Sequence, residues 1–188
     1  EDRDVSGAMM DLTYKFDNGF TAKSITGYRD TEANYKNATD YAPVSMLYVE
    51  YGDKFEQLSQ EFQLISPDDN AFTYMAGLYY YNQSADTNRD VFLGDDFLTA
   101  FIQPVVAPSV APLLNLDPNN LTEAQLAFIS SLAGFGPVGS KVINAGTVDT
   151  ESFAAYFNGS YDFADRWTLG FGLRYSVEDK DVNWLLDG

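Results

Sequence analysis

Along much of this chain apolar and polar side chains alternate with a period of two, the pattern of a β-strand whose two faces meet different surroundings. The clearest run sets Trp167, Leu169, Phe171, Leu173, Tyr175 and Val177 against Thr168, Gly170, Gly172, Arg174, Ser176 and Glu178. Before it, Phe153, Ala155, Phe157, Gly159, Tyr161 and Phe163 oppose Ser152, Tyr156, Asn158, Ser160 and Asp162. Near the start, Ala8, Met10, Leu12, Tyr14 and Phe16 alternate with Asp11, Thr13 and Lys15. The run after Asp17-Asn18-Gly19 places Phe20, Ala22 and Tyr28 opposite Thr21, Lys23 and Arg29, though Ser24 and Thr26 weaken its apolar face. Leu58, Phe62 and Leu64 oppose Gln57, Ser59, Glu61 and Gln63, and Phe72, Tyr74, Ala76, Leu78 and Tyr80 form the next apolar row.

These runs predict six strands at about 4–16, 20–32, 55–65, 71–84, 151–162 and 167–179, joined as three hairpins. The connections alternate between short turns (17–19, 66–70, 164–166) and long loops (33–54 and 85–150). Strands of about ten residues suit a tilted crossing of a hydrocarbon layer, and turns at one end with loops at the other are the asymmetry of outer-membrane barrels. Aromatic residues flank the short turns (Tyr14, Phe16, Phe20, Phe72, Tyr74, Phe163, Trp167) as an interfacial girdle would. The expected fold is therefore all-β, an antiparallel transmembrane β-barrel segment with long extracellular loops. A soluble β-sandwich is the competing architecture, since it also alternates.

Composition narrows the function. A net charge of -17, from 28 acidic and 11 basic residues, repels nucleic-acid phosphates, so no nucleic-acid partner is expected. Cysteine and histidine are both absent, which removes thiolate chemistry and the usual general base. No pair of carboxylates is fixed at a catalytic separation, so no enzyme, catalytic residue or cofactor is expected. Asp86, Asp90, Asp95, Asp96, Asp117 and Asp149 match no calcium-loop spacing, and no metal site is expected. Pro104, Pro108 and Pro112 interrupt the apolar run Phe97–Leu116 and argue against a spanning helix.

The wording of three hairpins then carries a resemblance. Residues 58–83 (LSQEFQLISPDDNAFTYMAGLYYYNQ), 151–181 (ESFAAYFNGSYDFADRWTLGFGLRYSVEDKD) and the strand FTAKSITGYRD at 20–30 resemble barrel hairpins of TonB-dependent receptors. That resemblance implies a bacterial outer-membrane receptor that actively takes up a scarce nutrient, a ferric siderophore, cobalamin or glycan. It implies a barrel of about 22 strands around a plug. Neither a plug domain nor a TonB-contacting segment is legible here, so the chain reads as a partial barrel segment. Implied partners are outer-membrane lipid, the TonB complex through a region N-terminal to this chain, a small-molecule or chelate substrate, and a surface lipoprotein as a candidate. A passive channel would share the barrel and is the alternative function.

By alternation Lys23, Arg29, Glu61, Tyr156, Asn158 and Arg174 face the lumen and are the candidate ligand-binding residues, the plainer reading being that they pair with a plug or with water. In the second long loop, Thr122-Glu123-Ala124-Gln125 has the form of a capping box before a short helix ending near Gly134. Leu113, Leu114, Leu126, Phe128 and Ile129 are the candidate lid or partner surface there, against the alternative of a loop packed on itself.

Overall fold

The structure, a computed structural model, describes residues 2–38 and 43–187. Six strands form a single antiparallel sheet in chain order: β1 (Asp2–Lys15), β2 (Thr21–Ala38), β3 (Leu47–Ile65), β4 (Phe72–Leu93), β5 (Lys141–Ala164) and β6 (Trp167–Asp187). Consecutive strands pair throughout, with β1 and β6 at the edges. The turn between β1 and β2 closes on Gly19, whose φ of +85° is strained for any residue with a Cβ. Its amide donates to the Phe16 carbonyl at 3.0 Å. The turn between β3 and β4 closes through Ser66, whose amide donates to the Tyr74 carbonyl (2.9 Å) while its Oγ accepts from the Tyr74 amide (2.8 Å).

Directly paired residues share a face of the sheet, so the register sorts side chains without ambiguity. One row runs Leu12, Ser24, Phe62, Leu78, Ala155, Tyr175, and the next runs Tyr14, Ala22, Leu64, Ala76, Phe157, Leu173. Shifting one residue gives the other face: Thr13, Lys23, Gln63, Gly77, Tyr156, Arg174. No second layer covers the apolar face, where Leu173 is 76% exposed and Leu78 and Phe153 are each 60% exposed. A sandwich would bury that face; a lipid-facing wall leaves it bare. On β6 the apolar positions run from Trp167 to Val177, a height of about 25 Å for strands tilted near 40°.

Ser24 and Thr26, the two polar positions on the apolar face of β2, are not left unpaired. The Thr26 hydroxyl donates to Gln60 Oε1 at 2.6 Å, and Gln60 Nε2 donates to Ser24 Oγ at 3.0 Å. A polar group in hydrocarbon needs such an internal partner.

The strands run beyond the alternating segments, from 14 residues in β1 to 24 in β5. Alternation fades above the apolar band because both faces meet water there, while backbone pairing continues. The expected loop 33–54 accordingly shrinks to the connection between Ala38 and Leu47, of which 39–42 lie outside the described residues, and the loop 85–150 shrinks to the segment between Leu93 and Lys141.

That segment is a small helical subdomain. It contains a π-helix (Leu98–Val106), α1 (Ala107–Val110), a 3₁₀ turn (Ala111–Leu114) and α2 (Glu123–Leu132). The proline-interrupted run is thus helical in short pieces. The wide π turn around Pro104 and the tight turn at Pro112 relieve the clash of each ring with the preceding turn. No helix among the described residues is long and apolar enough to cross a membrane. The capping box forms: Thr122 Oγ1 accepts from the Gln125 amide (3.3 Å) and Gln125 Oε1 accepts from the Thr122 amide (2.8 Å). Phe97, Leu98, Ile102, Ala107, Ala111, Leu126 and Ile129 make the subdomain's own core, with Leu47 and Leu93 packed against it. Its base is tied to the neighbouring connection, since the Ser45 amide donates to Asp96 Oδ2 (2.8 Å) and the Asp96 amide donates to the Ser45 carbonyl (2.9 Å).

Candidate functional site on the inner wall

The polar face of the sheet carries two groups of side chains at different heights. The lower group lies level with the apolar band. Lys23 Nζ is 3.2 Å from Asp11 Oδ2 on the adjacent strand. Glu61 accepts from Gln63 Nε2 at 2.9 Å and from the Tyr156 hydroxyl. Tyr156 reaches across β4 to do so because Gly77 stands between them: a Cβ there would overlap the ring. Arg174 donates from Nε to Ser176 Oγ (3.1 Å) and places its guanidinium 5.8 Å from the Tyr79 ring centre. Glu61, Tyr156, Asn158 and Arg174 line one hollow of about 440 Å³.

Five of the six lumen candidates therefore gather at this level, and Lys23 shares a pairing row with Tyr156 and Arg174. Tyr156 donates to Glu61, while Lys23 is paired with Asp11 and Arg174 donates to Ser176. A wall of partnered charges is preorganised to accept another polar surface at modest energetic return per contact.

Arg29 stands apart, about 20 Å along β2 from Lys23. It lines a second hollow of about 580 Å³ with Arg3, Tyr35, Asp53, Phe55 and Gln57. Above it, Tyr35 and Tyr51 stack with centroids 4.4 Å apart and planes within 5°. Arg89 lies over Tyr51 (4.9 Å) and bridges to Asp53 (2.8 Å). Sequence reasoning missed Arg3, Tyr35, Tyr51, Asp53 and Arg89 because most fall beyond the alternating segments. The signal available was the odd-numbered parity continuing through Arg29, Thr31, Ala33 and Tyr35.

Both faces carry charges of both signs: Arg3, Arg29, Arg89 and Arg174 hold inward-facing registers together with Asp11, Asp53, Glu61 and Glu178, whereas Asp4, Asp30, Glu32, Glu56, Asp86, Asp149 and Asp181 hold outward-facing ones together with Lys36, Lys54 and Lys141. In the helical subdomain, Leu126 and Ile129 are buried and Leu114 is partly buried against them, so they form core and not surface. Leu113 (81% exposed) and Phe128 (54% exposed) are what remains of the candidate outer surface.

An outward apolar band, an inward polar face and turns alternating with long extensions together describe one arc of a membrane barrel. The sequence model of the TonB-dependent receptor-like β-barrel matches residues 1–185. The chain belongs to the TonB-dependent receptor family. Its barrel is thus an outer-membrane structure, and the family is one of transporters, not enzymes. Among solved structures, the ferric yersiniabactin uptake receptor FyuA from Yersinia pestis superposes with a TM-score of 0.62 at 15% identity. The match covers 98% of this chain and 24% of that one, so the chain spans about a quarter of the receptor's length. No curated protein sequence matches the chain.

Proposed function

We propose that this chain forms part of a receptor that takes up a scarce nutrient, a ferric siderophore, cobalamin or glycan, with energy delivered by the TonB complex. The observation that carries the reading is the division of the inner wall. The upper hollow offers arginines beside stacked aromatic rings at the mouth, where a solute arriving from outside meets the barrel first. The lower group is internally paired, as befits a wall against which a plug would rest. The solved relative is a ferric yersiniabactin receptor, which makes a ferric chelate the first substrate class to test.

The test is uptake of labelled ferric chelates, cobalamin and oligosaccharides by cells carrying the full-length gene, with and without the TonB complex. Accumulation of one of them only in energised, TonB-containing cells supports the reading. Accumulation independent of TonB would instead assign a passive channel. Replacing both Arg3 and Arg29 with Ala should weaken surface capture by about tenfold or more, the scale of a lost charge-assisted hydrogen bond.

A further inference from the structure

Between the upper and lower groups the inner wall holds a third hollow, of about 460 Å³. Its level is the outer edge of the apolar band, since Tyr28, beside Arg29, is the last large apolar outward residue of β2. Two successive inward rows make it: Gly7, Arg29 and Gln57 across β1 to β3, then Met9, Gly27 and Ser59 beneath them. A hollow opens there because three of those six positions are glycine or serine, whose side chains leave the floor bare. Gly27 has reason to stay small, since a Cβ on it would come within 2.8 Å of Ser59 Oγ. Tyr79 and Tyr81 wall the far side. The space is open to solvent: Arg29 is exposed and Met9 is 76% exposed.

Its charge is one-sided. The inward carboxylates around it are already held: Asp11 by Lys23 (3.2 Å), Asp53 by Arg89 (2.8 Å), Glu178 by Lys180 (2.8 Å), and Glu61 by Tyr156 and Gln63. Among the described residues no carboxylate bridges to Arg29 or Arg3, so both keep their charge towards the lumen. Their backbones stand about 14 Å apart on neighbouring strands. Both line the upper hollow, and Arg29 opens into the middle one as well. Asp30, Glu56, Asp149 and Asp181, which would cancel this field, share a row on the outward face. Low-dielectric walls concentrate the field of a charge inside a hollow.

The neighbours of Arg29 say what kind of anion fits. Tyr81 donates its hydroxyl to Gln83 Oε1 (2.5 Å), and Gln57 Nε2 donates to the same oxygen (2.9 Å). These polar ends are therefore engaged, and Arg29 is the one charged side chain lining the hollow among the described residues. A guanidinium matches the two oxygens of a carboxylate with a pair of parallel hydrogen bonds. The rings of Tyr79 and Tyr81 and the thioether of Met9 suit an apolar or aromatic body attached to it.

We propose that the middle hollow is a second binding site on the inner wall, which takes an organic anion with its carboxylate on Arg29 and its apolar or aromatic part against Tyr79, Tyr81 and Met9. The inference rests on the uptake reading above, in which this wall lines the solute's route. Because Arg29 borders both hollows, an anion captured between Arg3 and Arg29 passes to the deeper site without leaving its guanidinium. A neutral solute of the same shape is not retained.

The test places a thiol in the hollow of the full-length receptor, made otherwise free of cysteine, in isolated outer membranes. Ser59→Cys and Met9→Cys report independently, and Ser84→Cys, on the outward face against Asp149, is the control. Each is checked for heat-modifiable migration and reacted with sulfonatoethyl and with trimethylammonioethyl methanethiosulfonate, rates being normalised to a free thiol. Both inward thiols should favour the anionic reagent by about tenfold or more, Arg29→Gln should remove that preference, and Ser84→Cys should favour the cationic reagent. Benzoate should slow the inward reactions by about fivefold or more, whereas benzamide and acetate at the same concentration should not. The proposal is overturned by no reaction at either inward thiol, by no anionic preference, by a preference that survives Arg29→Gln or is matched at Ser84→Cys, or by protection from benzamide or acetate equal to that from benzoate. The uptake assay above separates the two readings. TonB-dependent uptake with failed thiol results rejects this site alone, and anion preference with benzoate protection but no TonB-dependent uptake rejects the uptake reading while the site stands.

Discussion

Leu173 offers the sharpest test of which face meets lipid. It lies on β6 between Trp167 and Val177, about 15 Å above the lower girdle and about 10 Å below the upper edge, close to the bilayer midplane. Its side chain is 76% exposed and touches no second layer. An arginine at the midplane of a barrel's lipid face costs about 2–4 kcal/mol, falling to about 0–1 kcal/mol near the interface. Leu173→Arg should therefore lower the folded-to-unfolded ratio by roughly 30- to 800-fold. Asp181→Arg, on the same face but above the band, should change it little. The assay is reversible urea unfolding of the full-length barrel in lipid vesicles, followed by tryptophan fluorescence and heat-modifiable migration. Ser176→Arg, which points inward, serves as the control for side-chain size. If Leu173→Arg is tolerated as well as Asp181→Arg, or if Ser176→Arg is the more damaging, the assignment of faces fails.

Other perturbations test neighbouring features. Gly77→Val should push Tyr156 off Glu61 and destabilise the barrel by about 1–3 kcal/mol, the cost of overpacking, read in the same unfolding assay. Thr122→Ala removes the capping box of α2 and should cost about 1 kcal/mol locally, seen as faster amide exchange confined to residues 123–132. Asp96→Ala removes the acceptor of the Ser45 amide, and should speed proteolysis between Leu93 and Lys141 while leaving barrel migration unchanged.

The sequence made the membrane-level part of this fold legible because two solvents act on it there. Lipid on one side and a polar interior on the other impose a strict alternation, so β6 from Trp167 to Val177 could be placed residue by residue. Above that level the constraint relaxes. The stretches Asn34–Ala38 and Leu47–Lys54 pair as regularly as any others, yet their side chains no longer announce it, and the upper hollow with Tyr35, Tyr51 and Arg89 was hidden for that reason. The lower candidates Glu61, Tyr156 and Arg174 were legible as inward residues. The pairing of the first two was not, because Glu61 and Tyr156 are joined across three strands through a glycine. In the helical subdomain, periodicity located α2 but could not say that Leu126 and Ile129 turn towards the broken helix and Phe128 away from it.

The polar trio on the lipid face of β2 and β3 has a consequence for how the sheet settles into one register. Three of the five strand pairs are closed by tight turns, which set the alignment of their partners directly. The seams β2/β3 and β4/β5 are spanned by long connections that permit slippage in steps of two residues without exposing the wrong face. At the first seam, Gln60 bridges Ser24 and Thr26 at once, and a slip of two residues in either direction would leave one hydroxyl unpaired in hydrocarbon. At the second, Tyr156 lies over Gly77, and the Tyr80 hydroxyl donates to Glu151 at 2.9 Å. Side chains thus act as locating pins at the two junctions where the backbone supplies none.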